Sequence, residues 1–237
     1  MQIKDSIALV TGANRGLGKA FVQALLAAGA AKVYAAARDP STIETLPNVV
    51  PLKFDVTHPE DIAAAVQRAP DLTLLINNAG ISGLSDQAQD SLSLDTLRLE
   101  FETNAAGPLA TSLAFAPLLA ANGSGAIVNM HSALSWINLP NTVTYSASKA
   151  AAWSLTNGLR LRLAAQGTLV VGVHVAFLDT DMTRGIKGVH KSDPHKVAQR
   201  VLEGVINDQP EVLADETSQQ IKQNLSNGIY LRPITQG

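Results

Sequence analysis

The sequence predicts an α/β fold, a doubly wound parallel sheet of about seven strands with helices on both faces. Short apolar runs alternate with helix-patterned stretches from one end of the 237 residues to the other, the pattern of strands joined by crossover helices. A glycine-rich turn, Gly12-Ala13-Asn14-Arg15-Gly16-Leu17-Gly18, stands between the first strand and the first helix. Hydrophobic residues make up 46% and charged residues 16%, which excludes a disordered chain or a coiled coil and supplies a core that needs no disulfide.

Residues 7–10 read as a buried strand and 19–28 as a helix ended by Gly29. Strands follow at 32–37 and 49–54, then a helix at 61–68 and a strand at 72–76, bounded by Asn77-Asn78-Ala79-Gly80. A long helical stretch covers 94–121, with Pro117 expected to kink or break it. The pattern continues with a strand at 126–130, a helix at 147–165, a Val-dense strand at 169–177, a helix at 194–205, a short strand at 211–214 and a closing helix at 217–225. Right-handed crossovers make such a sheet doubly wound. No linker, repeat or low-complexity segment interrupts the alternation, so one domain is expected over residues 1–237.

Composition narrows the function. Eighteen basic and 20 acidic residues give a net charge of -2 with no basic run, a poor match for nucleic acid. The absence of cysteine excludes disulfides, thiol nucleophiles and Cys-ligated zinc. The histidines show no zinc spacing with a third ligand, so no catalytic metal is expected. No uninterrupted apolar run reaches about 18 residues, and residues 1–6 lack the shape of a signal peptide. A soluble, cytoplasmic protein without a membrane span is expected.

The glycine turn has the spacing Gly-x-x-x-Gly-x-Gly at Gly12, Gly16 and Gly18. Glycines allow a sharp turn and bring backbone N–H groups near a pyrophosphate, while the following helix offers its free N–H groups and positive dipole end. Opening a Rossmann-like sheet, this turn reads as a dinucleotide site. The second predicted strand ends Ala35-Ala36-Ala37-Arg38, where an NAD site usually carries a carboxylate. Arg38, with Arg15 inside the turn, suits a 2′-phosphate through its planar guanidinium. The expected cofactor is therefore NADP(H).

Tyr145-Ser146-Ala147-Ser148-Lys149 places a phenol and an ammonium four residues apart, on one face of a helix. A neighbouring cation favours phenolate, so the pair is a candidate general acid or base. Ser132 follows the strand 126–130 at the C-terminal edge of the sheet, where a hydroxyl can hydrogen-bond a substrate carbonyl. Asn104 lies within the long helix, an unfavourable place for an unpartnered amide. His131, beside Ser132, points to the opposite face and reads as packing or surface.

With these residues in view, the chain resembles the short-chain dehydrogenase/reductase family of the single-domain type. The resemblance rests on residues 11–18, Asp55-Val56, Asn77-Asn78-Ala79-Gly80, Asn104, Ser132, Tyr145 and Lys149. It implies that Tyr145 transfers the proton, that Lys149 lowers the tyrosine pKa and holds the nicotinamide ribose, and that Ser132 polarises the carbonyl. It implies that Asn104 positions a water linking Lys149 to solvent, that Asp55 (with Val56) meets the adenine, and that Asn78, Ala79 and Gly80 line the ribose path. Thr180 would meet the nicotinamide carboxamide. One departure stands out: Val175-Ala176 replaces the family's Pro-Gly, and an alanine where positive φ is needed would be strained. The family also implies dimers or tetramers formed through helices 94–121 and 147–165, the latter bearing Leu159, Leu161 and Leu163.

Residues 81–93, 133–144 and 177–193 are expected to roof the nicotinamide. Their apolar members include Ile81, Leu84, Trp136, Leu139, Phe177, Met182 and Ile186, with Arg184, Lys187 and Lys191 available to clamp a carboxylate. An apolar pocket suits a ketone, aldehyde or secondary alcohol with hydrophobic substituents. The function expected is NADPH-dependent carbonyl reduction. The alternatives are an NAD-dependent secondary-alcohol dehydrogenase and a non-catalytic dinucleotide-binding regulator.

Overall fold

The computed structural model describes residues 1–83 and 92–231. Its elements in chain order are β1 (Ile7–Thr11), α1 (Gly16–Ala27), β2 (Lys32–Ala37), β3 (Val49–Lys53), α2 (Pro59–Arg68), β4 (Leu74–Asn77), α3 (Leu94–Phe101), a π-helical turn (Glu102–Ala106), α4 (Gly107–Ala121), β5 (Ala126–Met130), α5 (Val143–Leu163), β6 (Leu169–His174), α6 (Pro194–Ile206), β7 (Glu211–Leu213) and α7 (Glu216–Gln223), with short 3-10 turns between them. The seven strands form one parallel sheet in the order β3-β2-β1-β4-β5-β6-β7. The order reverses between β1 and β4, which opens a crevice at their carboxyl ends, the usual ligand position in such sheets.

Strand alternation divides the core. Val10, Val33, Ile76 and Val128 face α1 and α6, meeting Phe21, Leu25, Val197, Val201 and Val205. Leu9, Leu75 and Ile127 face the opposite layer, meeting Phe115, Leu119, Leu159 and Leu163. Phe21 and Phe115 are fully buried, one on each side, each stabilising its layer by about 2–3 kcal/mol.

Several boundaries differ from the sequence expectation. Helix α1 starts at Gly16, inside the glycine turn. Strand β6 ends at His174, and the run Val175-Ala176-Phe177 leaves the ladder because the Ala176 N–H donates to Asp215 Oδ2 at 2.7 Å. Ala176 is not among the positive-φ residues, so the strain expected there does not arise. Pro117 does not break α4. It sits on the exposed side with Leu113, where solvent can satisfy the carbonyl that loses its donor. The irregularity falls earlier, in the π turn that contains Asn104.

By length and hydropathy, Leu94–Ala121 is a candidate membrane span, contrary to the expectation that none occurs, and 44% of its apolar window is buried inside the protein. Its buried polar groups are used within the fold. Thr111 and Ser112 donate back to Gly107 and Pro108 carbonyls at 2.8 and 2.6 Å. Asn77 donates to Ser112 Oγ at 2.9 Å and to Asn129 Oδ1 at 2.8 Å.

Candidate active site

The glycine turn is built by contacts that tolerate no side chains. Gly12 and Gly16 take φ of +65° and +52°, in the left-handed region that favours glycine. A Cβ on Gly18 would lie 2.0 Å from the Gly12 carbonyl oxygen and 2.7 Å from Asn78 Nδ2. The Thr11 hydroxyl accepts from the Asn78 and Ala79 N–H groups, both at 3.0 Å, and Asn78 Nδ2 donates to the Thr11 carbonyl at 2.9 Å. The side chain of Asn78, expected along the ribose path, thus braces the turn against β4. Thr11, the first residue of the 11–18 turn, was given no bracing role by the sequence, since a threonine ending a strand carries no distinctive signal.

Leu17 and Val56 enter the core with their side chains. A Cβ on Gly107 would lie only 2.8 Å from the Val56 carbonyl oxygen. Asn14 donates to Thr42 Oγ1 at 3.1 Å. Arg15 and Arg38 are exposed, Arg15 lies 3.8 Å from Asp181, and the charge of Arg38 is felt at Asp55. Burial pushes the Asp55 carboxyl up, but hydrogen bonds from the Thr57 N–H and hydroxyl, with the charges of His58 and Arg38, hold it below the usual range. Asp39, the nearest carboxylate after β2, is engaged by the Ser41 N–H at 3.0 Å and hydroxyl at 2.7 Å. A Cβ on Gly16 would lie 3.3 Å from Thr180 Cγ2, so the segment after β6 closes onto the glycine turn.

On the other side of the crevice, Tyr145 and Lys149 rise from the first turns of α5. Lys149 Nζ sits 5.8 Å from the centre of the Tyr145 ring and donates to the Met130 carbonyl at 3.0 Å. Burial pulls the lysine down to about 8. Burial also pushes the phenol up to about 12, the Ser132 hydrogen bond opposes this, and the Glu100 charge adds to it. Ser132 thus draws the phenol down, while the Lys149 ammonium, 5.8 Å from the ring centre, directs a hydrogen bond to a main-chain oxygen. Gly80 lies beside both Asn104 and Lys149: a Cβ there would come 3.1 Å from Asn104 Oδ1 and 3.6 Å from Nζ.

Asn104 is fully engaged with protein groups. It accepts from the Ile81 N–H at 2.9 Å and donates to the Ile81 carbonyl at 2.9 Å and to Ser148 Oγ at 3.0 Å. The π turn aims this amide inward, joining the segment after β4 to α5. Ser148 completes the chain by donating to the Tyr145 carbonyl at 2.7 Å. Glu100, also buried, accepts from the Gly83 N–H at 2.7 Å. Ser148 and Glu100 were missed from sequence, although a charged residue one turn before an inward-facing Asn was a usable signal.

A family model described as short chain dehydrogenase matches residues 6–189. The chain belongs to the short-chain dehydrogenase family. A crystal structure of a short chain dehydrogenase from Burkholderia cenocepacia J2315, in complex with NADP, is 38% identical. It has a TM-score of 0.92 and covers 99% of this chain and 100% of its own. A short-chain dehydrogenase from Streptomyces avermitilis is 25% identical with a TM-score of 0.83, covering 95% of this chain and 94% of its own. An uncharacterized oxidoreductase of Staphylococcus aureus is 32% identical over 214 residues, 84% of this chain and 90% of its own. This short-chain dehydrogenase is accordingly an oxidoreductase of the NAD(P)-dependent class.

The surroundings of the crevice in this dehydrogenase are largely apolar. Ile81, Leu139, Phe177 and Ile186 are half-buried and Met182 is exposed; Leu84 lies outside the described residues. Trp136, expected in the roof, stacks flat on His174 with ring centres 3.8 Å apart. Arg184 pairs with Asp181, and Lys191 donates to the Thr183 carbonyl at 2.7 Å, so two of the three cations proposed to clamp a carboxylate are engaged elsewhere. His131 is buried and packs against His174, which removes the surface reading. Leu159 and Leu163 belong to the core, leaving Leu161 exposed.

Proposed function

We propose that this dehydrogenase is an NADPH-dependent reductase of ketones or aldehydes bearing hydrophobic substituents. The observation that carries the reading is the convergence of Ser132, Tyr145 and Lys149 at the carboxyl end of β5, with Lys149 Nζ 5.8 Å from the centre of the Tyr145 ring and bonded to the Met130 carbonyl. When bound, a reduced nicotinamide supplies the hydride. The fold fits such a group: Gly12 and Gly16 hold the turn conformation open, and the first N–H groups of α1 face the crevice. Arg15 and Arg38 would hold the 2′-phosphate, with Asp39 already occupied by Ser41. The NADP complex of the similar Burkholderia dehydrogenase supports that preference.

In this reading Ser132 donates to the substrate carbonyl and the Tyr145 hydroxyl gives its proton to the oxygen as negative charge develops there. A phenol pushed up to about 12 is protonated at neutral pH, the form needed for a donor. Lys149 would hold the nicotinamide ribose and re-protonate the tyrosine. Asn104 keeps α5 and the Ile81 segment in register, so that the Tyr145 backbone does not drift. The engaged Arg184 and Lys191 favour uncharged substrates. The exposed Leu113, Phe101 and Leu161 suit packing between subunits as a homodimer or homotetramer, and the reaction needs no location other than the cytoplasm.

The test is a panel of ketones and aldehydes assayed with NADPH and with NADH, followed by chiral analysis of the alcohol. NADPH-linked turnover of apolar carbonyls is expected. A Tyr145→Phe variant should keep NADPH binding and lose turnover by about 100-fold or more. Undiminished turnover would exclude Tyr145 as the proton donor.

A further inference from the structure

We propose that His174 is a positioning residue for Ser132: its Nδ1–H, donated to the Ser132 carbonyl, fixes the peptide from which the serine hydroxyl reaches Tyr145. The inference rests on the reductase reading above and goes beyond its four residues. His174 ends β6 and is fully buried. Its Nδ1 lies 3.1 Å from the Ser132 oxygen across 42 residues of sequence. A carbonyl oxygen only accepts, so Nδ1 carries the proton. Burial draws the imidazole down to about 3, so the ring is neutral at working pH and the carbonyl partner selects the tautomer.

The remaining bonds of Ser132 are local. Its oxygen also accepts from the Ser135 N–H at 2.9 Å, its N–H donates to Ser135 Oγ at 3.3 Å, and its hydroxyl oxygen accepts from the Leu134 N–H at 3.1 Å. Those three bonds belong to the same short turn and move with it. The sheet supplies the outside reference. Val173 and Val175 carbonyls accept from the His131 and Ala133 N–H groups at 2.7 and 3.0 Å, and His174, between them, grips the peptide of Ser132 itself. Since Leu134 occupies one acceptor position of the serine hydroxyl, its proton is left to point toward the phenol and the substrate.

The ring is held as firmly as its bond requires. Trp136 stacks on it at 3.8 Å with planes 19° apart, Trp153 stands edge-on at 6.5 Å, and His131 lies at 5.1 Å. Lys222 Nζ caps the Trp136 ring at 4.8 Å. His174 Nε2 has no hydrogen-bond partner, the Glu211 carboxylate being 3.8 Å away. A buried ring nitrogen without a partner is a cost an apolar side chain would avoid, so the imidazole is explained by what Nδ1 does.

The experiment compares His174→Leu with His174→Asn, whose Nδ2–H can reach the same oxygen. In the leucine variant kcat should fall about tenfold or more with NADPH affinity unchanged, and asparagine should restore most of it. In a Ser132→Ala background the leucine change should cost nothing further, because the effect runs through Ser132. Equal losses in the two variants, unchanged kcat in the leucine variant, or losses additive with Ser132→Ala would overturn the proposal. Nitrogen-15 spectra of histidine-labelled protein, assigned by difference from the variant, should show the proton on Nδ1. A proton on Nε2 overturns the proposal whether or not the enzyme turns over. Wild-type protein inactive on every carbonyl would instead refute the reductase reading, and the nitrogen spectrum would still decide the tautomer.

Discussion

Lys149 is a charge held inside the fold at a cost in stability, and replacing it should make the fold stronger and, on the proposed reading, the enzyme inert. The ammonium is buried, and its pKa falls from the ordinary 10.5 to about 8. That depression corresponds to about 3 kcal/mol of penalty for holding the charge inside the folded protein. Below pH 8 the lysine is protonated in both folded and unfolded chains, so the folded state bears the whole penalty. Between about 8 and 10.5 the unfolded chain binds more protons than the folded one, and stability rises with pH as the penalty is relieved. Lys149→Met keeps the apolar stem and removes the charge. It also removes the donor to the Met130 carbonyl, a loss of about 1 kcal/mol. The net gain near pH 7 is about 2 kcal/mol, or roughly 4–8 °C in melting temperature for a chain of this size. Circular-dichroism melts of both proteins between pH 7 and pH 10.5 measure it: the gap should be widest at neutral pH and close as the lysine in the wild type deprotonates. A methionine variant that melts below wild type at pH 7, or a gap that ignores pH, would refute the reasoning. Turnover should be lost in either case.

Three other perturbations test the site. Arg38→Asp should weaken NADPH binding by about tenfold or more while sparing NADH; equal effects in fluorescence titrations with the two cofactors would remove the 2′-phosphate assignment. Gly18→Ala puts a Cβ 2.0 Å from the Gly12 oxygen, so the turn must open, and dinucleotide binding measured by calorimetry should vanish; retained affinity would show that the turn relaxes without consequence. Asn104→Ala leaves the Ile81 N–H, the Ile81 carbonyl and Ser148 without their shared partner, a loss of about 2–3 kcal/mol. A melting temperature equal to wild type would mean that the amide does not brace α5.

The parts of the site carried by short spacing were legible in the residue order. Glycines at Gly12, Gly16 and Gly18 announce a turn that no side chain could share, and Tyr145 with Lys149 announces two groups on one helical face. Where the reading fell short, the deciding contact came from elsewhere in the fold. Pro117 looked like the break in the long helix, but solvent on its side tolerates it, and the π turn at Asn104 takes the irregularity instead. Asn78, expected along the ribose path, also braces β4 against the glycine turn through bonds to Thr11. Lys149, expected to acidify Tyr145 from one helical turn away, also donates to the Met130 carbonyl at the end of β5, a contact no local spacing announces.

By itself, the order of amino acids determined the strand and helix alternation, the glycine turn and the titratable residue types placed near it, because periodicity and spacing act within a few residues of chain. Only the tertiary structure decided which of those groups touch, how far burial shifts Tyr145 and Lys149, and that His174 reaches the carbonyl of Ser132. Those are properties of neighbours brought together by packing across tens of residues, where desolvation and hydrogen-bond geometry depend on atoms that no local pattern specifies.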